Sequence, residues 1–408
     1  MVERNIWPIC EKNLDRKEIV LLIGARQVGK TTLLLRIEDY LKKKNEQVYY
    51  FSLENPGLLQ DLNSNPENIF KYIPKQDKKI FLLLDEVQYL SAPSNFLKYH
   101  YDTYGNRIKL IVSGSSAFYV DRKFADSLAG RKRIIELFPF SFSEFLRAKD
   151  KDDLADTVRS GTWCRTRKKR ELLVPQRQQL RQFLNEYIMY GGYPGVVIEP
   201  EAGEKRLILR DLHESFLKKD VLEAGVSEQY KFYQLLKIIA SGTGSLLNAS
   251  EIGNTIRLSP DTVREYIHIL RKSFIIGVIQ PFHSNVRKEL TKMPKAYLFD
   301  SGLRNTVLGD YRTPEERLDK GPLLENLVYT GLRTYGIDPI RFWRTQDKKE
   351  VDFVMPRQPA PMALEAKWQA SSYNPKKYER FTQAYPDIPL SPICYEDNQH
   401  IDLLDVMH

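Results

Sequence analysis

IVLLIGARQVGKT, from Ile19 to Thr31, decides how the first third of this chain folds. Its opening run, Ile19–Ile23, is apolar at every position, as suits a strand covered on both faces. Gly24–Thr31 then reads GARQVGKT, a full match to G-x-x-x-x-G-K-[ST]. Thr31–Lys44 follows with helical periodicity, so the motif sits between a strand and a helix, where it can act. Gly24 and Gly29 let the backbone turn its N–H groups toward phosphate oxygens, and the helix N-terminus adds a favourable dipole. Lys30 is placed to reach the β- and γ-phosphates, and the Thr31 hydroxyl to ligate Mg²⁺. Gly24, Ala25, Arg26, Gln27, Val28, Gly29, Lys30, Thr31 and Thr32 are thus the expected cradle for ATP.

A partner motif lies about 55 residues further on. Ile80–Leu84 (IFLLL) runs into Asp85 and Glu86. An acid at the end of a buried strand needs a partner, which a Mg²⁺–nucleotide supplies. Asp85 is the expected metal ligand, and Glu86 the residue that orients and deprotonates the attacking water. Ile108–Val112 (IKLIV) ends in Ser113-Gly114-Ser115-Ser116; Ser113 and Ser115 are candidates to sense the γ-phosphate or position water, or are turn residues. Arg131, or in competition Arg133, is a candidate arginine finger, in cis or from a neighbouring copy. With Val48–Ser52, these strands alternate with helical patterns and predict an α/β fold with a parallel sheet over residues 1–150.

Beyond it, residues 151–225 read as a polar, charge-rich insertion and then helices, punctuated by GGYPGVV at Gly191–Val197. Residues 226–312 carry three helical stretches, Tyr230–Ala240, Ala249–Thr255 and one opening at Ser259-Pro260, then strand-like runs at Phe274–Ile279 and Ala296–Phe299. Three helices and a hairpin are a winged-helix pattern. Ser259 suits an N-cap, and Pro260 the first helical position. Val263, Ile267 and Leu270 fall at core spacing, whereas Arg257, Arg264, Arg271 and Lys272 are available for DNA phosphates. Such domains also serve protein partners. Residues 313–408 open with a helix at Pro322–Thr334 and continue with runs at Ile340–Trp343, Glu350–Val354 and Met362–Ala366, a second small α/β unit.

The chain has 408 residues, 42% hydrophobic and 28% charged, enough for two or three ordinary globular domains. No run approaches the ~18 apolar residues of a membrane span, and the first residues lack a signal-peptide core, so no membrane association and a cytoplasmic location are expected. Cys10, Cys164 and Cys394 form neither metal-ligand spacing nor a disulfide framework. The net charge of +9 hints at an acidic partner such as DNA. Arg165, Arg167, Lys168, Lys169 and Arg170 cluster in a segment read as a solvated loop or a phosphate-contacting patch. No LSGGQ-like segment supports a transporter, and Glu86 suits water activation better than transfer to a small substrate.

Taken in order, GARQVGKTTLL, FLLLDEVQYL, IVSGSSA, LAGRKRIIELFPFSFSEFL, GGYPGVV, YLFDSGLRN, GPLLENLVY, EVDFV and LEAKW resemble the prokaryotic AAA-type ATPases whose C-terminal half is a nuclease-like domain of unknown function. The resemblance covers nearly the whole chain, apart from Thr162–Arg170. It implies an additional-strand ATPase core, a winged-helix middle and a restriction-endonuclease-like end. Within that end, Glu325 lies on a helix and Asp352 precedes Glu365 by thirteen residues. Glu365 and Lys367, two apart on a strand, share a face. The pattern resembles the D…E-x-K signature of metal-dependent nucleases, with Val351 where proline is common. It implies Mg²⁺ on Glu325, Asp352 and Glu365, and Lys367 beside the attacking water. The competing reading is a degenerate domain kept for binding or assembly, in an ATPase that signals to a protein partner. A finger supplied in trans would require a homo-oligomer.

Overall fold

The structure is a computed structural model describing residues 2–73, 78–114, 128–159, 173–222, 224–283, 293–357, 361–396 and 401–402. Ser115, Cys164 and the basic cluster at 165–170 lie outside the described residues. The chain divides into two compact units, Glu3–Phe138 with Lys272–Phe274, and Pro139–Arg271 with Ile275–His408.

In the N-terminal unit, β1 (Ile19–Ile23), β2 (Gln47–Ser52), β3 (Ile80–Asp85), β4 (Ile108–Gly114) and β5 (Lys132–Glu136) form a five-stranded sheet. The order is β2-β3-β4-β1-β5, and each pairing is parallel. Around it lie α1 (Trp7–Leu14), α2 (Lys30–Lys43), α3 (Pro56–Ser64) and α4 (Pro93–Tyr104). β1, β3 and β4 are buried at every residue, which is why their sequences are apolar without alternation except at Asp85, Lys109 and Ser113, whose polar groups are hydrogen-bonded. β4 separates β1 from β3, the additional strand that the resemblance implies. Because the strands are parallel, Gly24, Asp85 and Ser113 emerge at one end of the sheet.

The C-terminal unit begins with helices α5 (Phe142–Ala148), α6 (Asp152–Arg159), α7 (Val174–Tyr190), α8 (Pro194–Ile198) and α9 (Ala202–Ser215). The compact N-terminal unit therefore ends at Phe138, short of the expected 150. The reason is packing: the Phe142 and Phe145 rings lie 5.6 and 5.5 Å from Tyr187 of α7, and Phe140 N donates to Gly192 O at 2.7 Å. Next come α10 (Gln229–Ser241), α11 (Ala249–Ile256) and α12 (Pro260–Lys272). Thr262 N donates to Ser259 Oγ at 3.1 Å, the expected cap. Val263, Tyr266, Ile269 and Leu270 are the buried stripe of α12, with Ile267 only half-buried. The stripe is rotated from the expected one because Tyr266 packs its ring 5.1 Å from Phe232.

The remaining elements are β6 (Ile276–Pro281), β7 (Lys295–Leu298), α13 (Ser301–Leu308), α14 (Lys320–Thr334), β8 (Arg341–Arg344), β9 (Glu350–Met355), β10 (Met362–Gln369), α15 (Glu379–Ala384), β11 (Leu390–Glu396) and β12 (Ile401–Asp402). The seven strands make one sheet, β12-β11-β10-β9-β8-β6-β7. β6 pairs with β8 at Gln280↔Arg341 and Pro281↔Phe342, so the hairpin and the tail share a sheet that runs across the boundary expected at 312/313.

Asp300 locks two of the sequence motifs together. Its carboxylate accepts from Leu303 N at 2.8 Å, capping α13, and from Gly192 N at 2.7 Å. Gly191 has φ 76°, and a Cβ there would lie 2.2 Å from Asp300 Oδ1. Burial lifts the Asp300 carboxyl from its ordinary 3.8 to about 6. A folded value above the unfolded one means that the contribution is greatest below about pH 4 and fades as pH rises through about 6. We predict that Asp300→Asn, which turns an amide N–H toward a backbone donor, costs the C-terminal unit about 1–3 kcal/mol. It should also flatten the thermal midpoint of that unit between about pH 4 and 6; an undiminished slope in the variant would assign the dependence to another group.

Candidate nucleotide site and the C-terminal acid cluster

Gly24 is fixed by space: a Cβ there would sit 2.2 Å from Leu137 O. Gly29 takes φ 96° at the N-cap of α2, a left-handed turn that glycine adopts at no steric cost. Lys30 is buried, its ammonium donating to Ala25 O at 2.8 Å and Gly24 O at 3.2 Å. Arg4 fastens the loop from outside the motif, donating to Val28 O at 2.8 Å and Phe138 O at 2.7 Å.

Asp85, 3% exposed, is the centre of the site. Thr31 Oγ1 donates to its Oδ2 at 2.6 Å and Tyr50 OH to the same oxygen at 3.0 Å, while Ser113 Oγ donates to Oδ1. Ser113 Oγ also accepts from Glu86 N at 2.9 Å. Ser113 therefore orders the two acids from below rather than facing a phosphate. Burial, with the Asp85 charge next, pushes the Tyr50 phenol well above its ordinary value, so it stays a donor. Glu86 stands at φ 59°, ψ 49°, a left-handed conformation that costs a non-glycine residue about 1–2 kcal/mol. Such outliers gather at functional sites. Gln88, two residues on, donates its amide N–H to the Glu86 carboxylate.

The oxygen donors of Thr31 and Asp85 suit Mg²⁺, which needs one or two protein oxygens when phosphates and water complete its shell. Arg131 is not brought to them. Its carbonyl accepts from Ile19 N, at the start of β1, and its guanidinium pairs with Asp102 at 2.9 Å. Arg133 likewise pairs with Glu18 at 3.2 Å. The motif begins at the other end of β1, roughly 15 Å away at about 3.3 Å per residue, so neither arginine serves as a finger in cis.

In the C-terminal unit, Asp352 on β9 and Glu365 on β10 meet: Asp352 N donates to Glu365 Oε2 at 3.2 Å, and Ala366 N to Asp352 Oδ2 at 2.9 Å. Lys367 pairs with Glu365 at 2.5 Å. Glu325 of α14 faces Lys295 of β7 at 3.1 Å and accepts from Tyr297 OH. Lys295 also pairs with Glu350 and reaches Asp352 at 4.0 Å. Burial, then the nearby Asp352 charge, lifts Glu325 to about 8 and Glu365 to about 7, and burial also raises Asp352. Burial alone would lower Lys295; Glu325, Asp352 and Glu350 together outweigh it and hold the ammonium above the ordinary lysine range. Among the described residues, no three His, Cys, Asp or Glu side chains are grouped to hold a metal ion. Arg4, Tyr50, Gln88, Lys295 and Glu350 carry no motif; only proximity in the fold identifies them.

Residues 16–146 match the family described as "AAA domain". Residues 181–312 and 320–404 match two families, each described as a domain of unknown function (DUF8612 and DUF4143). An uncharacterised protein of Haemophilus influenzae is 26% identical over 83% of this chain and 80% of its own length. Another, from Methanocaldococcus jannaschii, is 24% identical over 85% and 74%, and one from Mycobacterium tuberculosis 24% over 87% and 71%. Among solved structures, a RuvB Holliday junction branch migration motor from Thermotoga maritima aligns with TM-score 0.30 and 16% identity over 71% of this chain and 95% of its own. DnaA from Aquifex aeolicus gives 0.31 and 17% over 66% and 88%.

We predict that Ser113→Ala lowers ATP turnover about 10- to 100-fold, the range for residues that orient a metal ligand, while KM for ATP stays within about threefold, since Ser113 holds Asp85 and Glu86 and not the phosphates. A steady-state comparison with wild type decides it; a large KM change with intact kcat would return Ser113 to the phosphate. The matched family, the strand order and the motif geometry agree that the N-terminal unit has the AAA-type P-loop fold.

Proposed function

We propose that this chain is a Mg²⁺-dependent, cytoplasmic ATP hydrolase that works on DNA. The observation that carries the ATP reading is the 2.6 Å contact between Thr31 Oγ1 and Asp85 Oδ2, which joins the two motifs at one point. Bound Mg²⁺ would supply charge neutralisation on the β- and γ-phosphate oxygens. Thr31 and Asp85 would hold it, and the N–H groups from Gly24 to Thr32 would cradle the phosphates. Lys30 would exchange its backbone carbonyls for phosphate oxygens. Glu86, left-handed and anchored through Ser113, would orient water and accept its proton, releasing or sharing Gln88 as it does so. Arg131 is left to serve a neighbouring copy, which would make the working form a homo-oligomer.

The DNA reading rests on α10, α11, α12 and the β6–β7 hairpin, which follow winged-helix order within 226–312. Arg264, 61% exposed although paired with Asp261, and the exposed Arg257 and Arg271 are available for phosphates, with half-buried Lys272 beside them. In this division the ATPase core closes near Phe138, a helical lid follows up to 225, and 313–408 is the nuclease-like segment, which shares its sheet with the hairpin. Helix α14, antiparallel β8–β9–β10, α15 and parallel β11 are consistent with the nuclease resemblance.

A second reading for the tail, a catalytically inactive domain in a regulatory ATPase that signals to a protein partner, is favoured by one observation. Glu325, Asp352 and Glu365 already have partners within the protein.

We predict that duplex DNA raises phosphate release from ATP. Affinity for the duplex should fall steeply with salt, by about 0.9 log unit per log unit of salt for each phosphate contacted. Arg264→Ala with Arg271→Ala should reduce that slope. Turnover indifferent to DNA, with a flat salt response, would leave the ATPase and move its coupling to a protein partner.

A further inference from the structure

The acids of the tail are arranged around a cation that the chain itself supplies. Lys295 Nζ lies 3.1 Å from Glu325, 2.5 Å from Glu350 and 4.0 Å from Asp352. Its side chain is 1% exposed, and its backbone is held on both sides, by Ile279 of β6 and by a bridge to Leu246. The ammonium thus lies in the interior of this unit and not at its surface. The rest of the cluster is matched as well: Lys367 pairs with Glu365, and Arg344 with Glu350 at 2.6 Å. Four carboxylates, Glu325, Glu350, Asp352 and Glu365, thus face three basic side chains.

Space is restricted on the Glu325 side, although its side chain keeps 16% exposure. A Cβ on Gly244 would lie 2.8 Å from Glu325 Oε2, so the backbone of the loop after α10 lies against that carboxylate, while Tyr297 OH and Lys295 occupy its other oxygen. A divalent metal between Glu325 and Asp352 would have to share this space with an ammonium. Two cations so close in a buried site repel strongly, and the sum of the ion pairs leaves little negative charge to hold both. The residues present therefore do not fit the metal that the D…E-x-K pattern implies.

We infer that Lys295 is the built-in cation of the acid cluster: it takes the place of a divalent metal between Glu325 and Asp352. This deepens, and rests on, the reading of an inactive tail. The lysine comes from the hairpin strand β7 and the acids from the tail, so the ion cluster also ties those two parts of the shared sheet together. The domain keeps the acids of a nuclease as a structural joint.

The test is Mn²⁺ binding to the full chain without nucleotide, followed by electron paramagnetic resonance. An Asp85→Asn background removes the carboxylate proposed to hold a metal at the nucleotide site. With Lys295 present, no tail site should fill at millimolar Mn²⁺. Lys295→Met should create one, at least about tenfold tighter, and Asp352→Asn in that variant should abolish it. Removing one partner from a buried ion cluster can unfold a domain, so the same measurement is made on Lys295→Met with Glu350→Gln, which discards one acid along with the base. Mn²⁺ should raise the thermal midpoint of these variants and leave that of the parent unchanged. Mn²⁺ bound by the parent and lost on Asp352→Asn would overturn both the inference and the inactive reading. Absence of a site in both Lys295 variants, with the fold intact, would overturn the inference alone and leave the tail inactive for another reason.

Discussion

A carboxylate at the end of a buried strand has to be given partners, and the N-terminal unit is organised around how Asp85 gets them. Three hydroxyls, from Thr31, Tyr50 and Ser113, converge on it from three neighbouring elements. That convergence requires α2 to begin, and β2 and β4 to end, beside the end of β3, which the parallel order β2-β3-β4-β1-β5 accomplishes. Hydrogen bonds offset the desolvation of a buried polar group. They also leave the side chain pre-placed beside the one hydroxyl, Thr31, with which it can share a hard cation. The same serine anchors the backbone of Glu86, so the proposed metal ligand and the proposed base are positioned by a single side chain.

The C-terminal unit meets the same problem with ions instead of hydroxyls. Lys295 and Lys367 sit against Glu325, Asp352 and Glu365 at distances where one side chain satisfies several others. A buried ion cluster contributes little net stability, because desolvation offsets attraction, but losing one member is costly. Such a cluster is sensitive to its composition and fixes which strands meet. A site built from hydroxyls keeps room for an incoming cation, whereas a site built around a lysine has already taken one.

Much of this was legible in the sequence, for identifiable reasons. Apolar runs mark β1, β3 and β4, interrupted in β4 by Lys109, because parallel strands between helices are buried on both faces, and GARQVGKT marks the loop because its glycines answer local constraints of φ and space. Ser259-Pro260 marks the start of α12 for the same kind of local reason. What the sequence did not reveal depends on distance along the chain. Tyr50 and Ser113 reach Asp85 across 35 and 28 residues, and Lys295 reaches Asp352 across 57, with no spacing rule linking them. The role expected of Arg131 in cis failed because a short motif does not say at which end of a parallel sheet it will lie. The pairing of β6 with β8 was hidden for a related reason: two residue pairs suffice to join a hairpin to a sheet, and they leave no pattern in either strand.

Glu86 is the residue proposed to make an ATP-binding loop into an ATP-hydrolysing one. The most direct measurement is a single turnover: trace ATP with Mg²⁺ on excess protein, wild type against Glu86→Gln, with bound nucleotide separated and identified over time. Both proteins are expected to bind ATP; wild type should convert it to ADP and phosphate, and the variant should retain it as ATP with a rate lower by at least about 100-fold. Equal conversion by the two proteins would contradict the assignment of Glu86, and failure of wild type to bind ATP would contradict the account of the site as a whole.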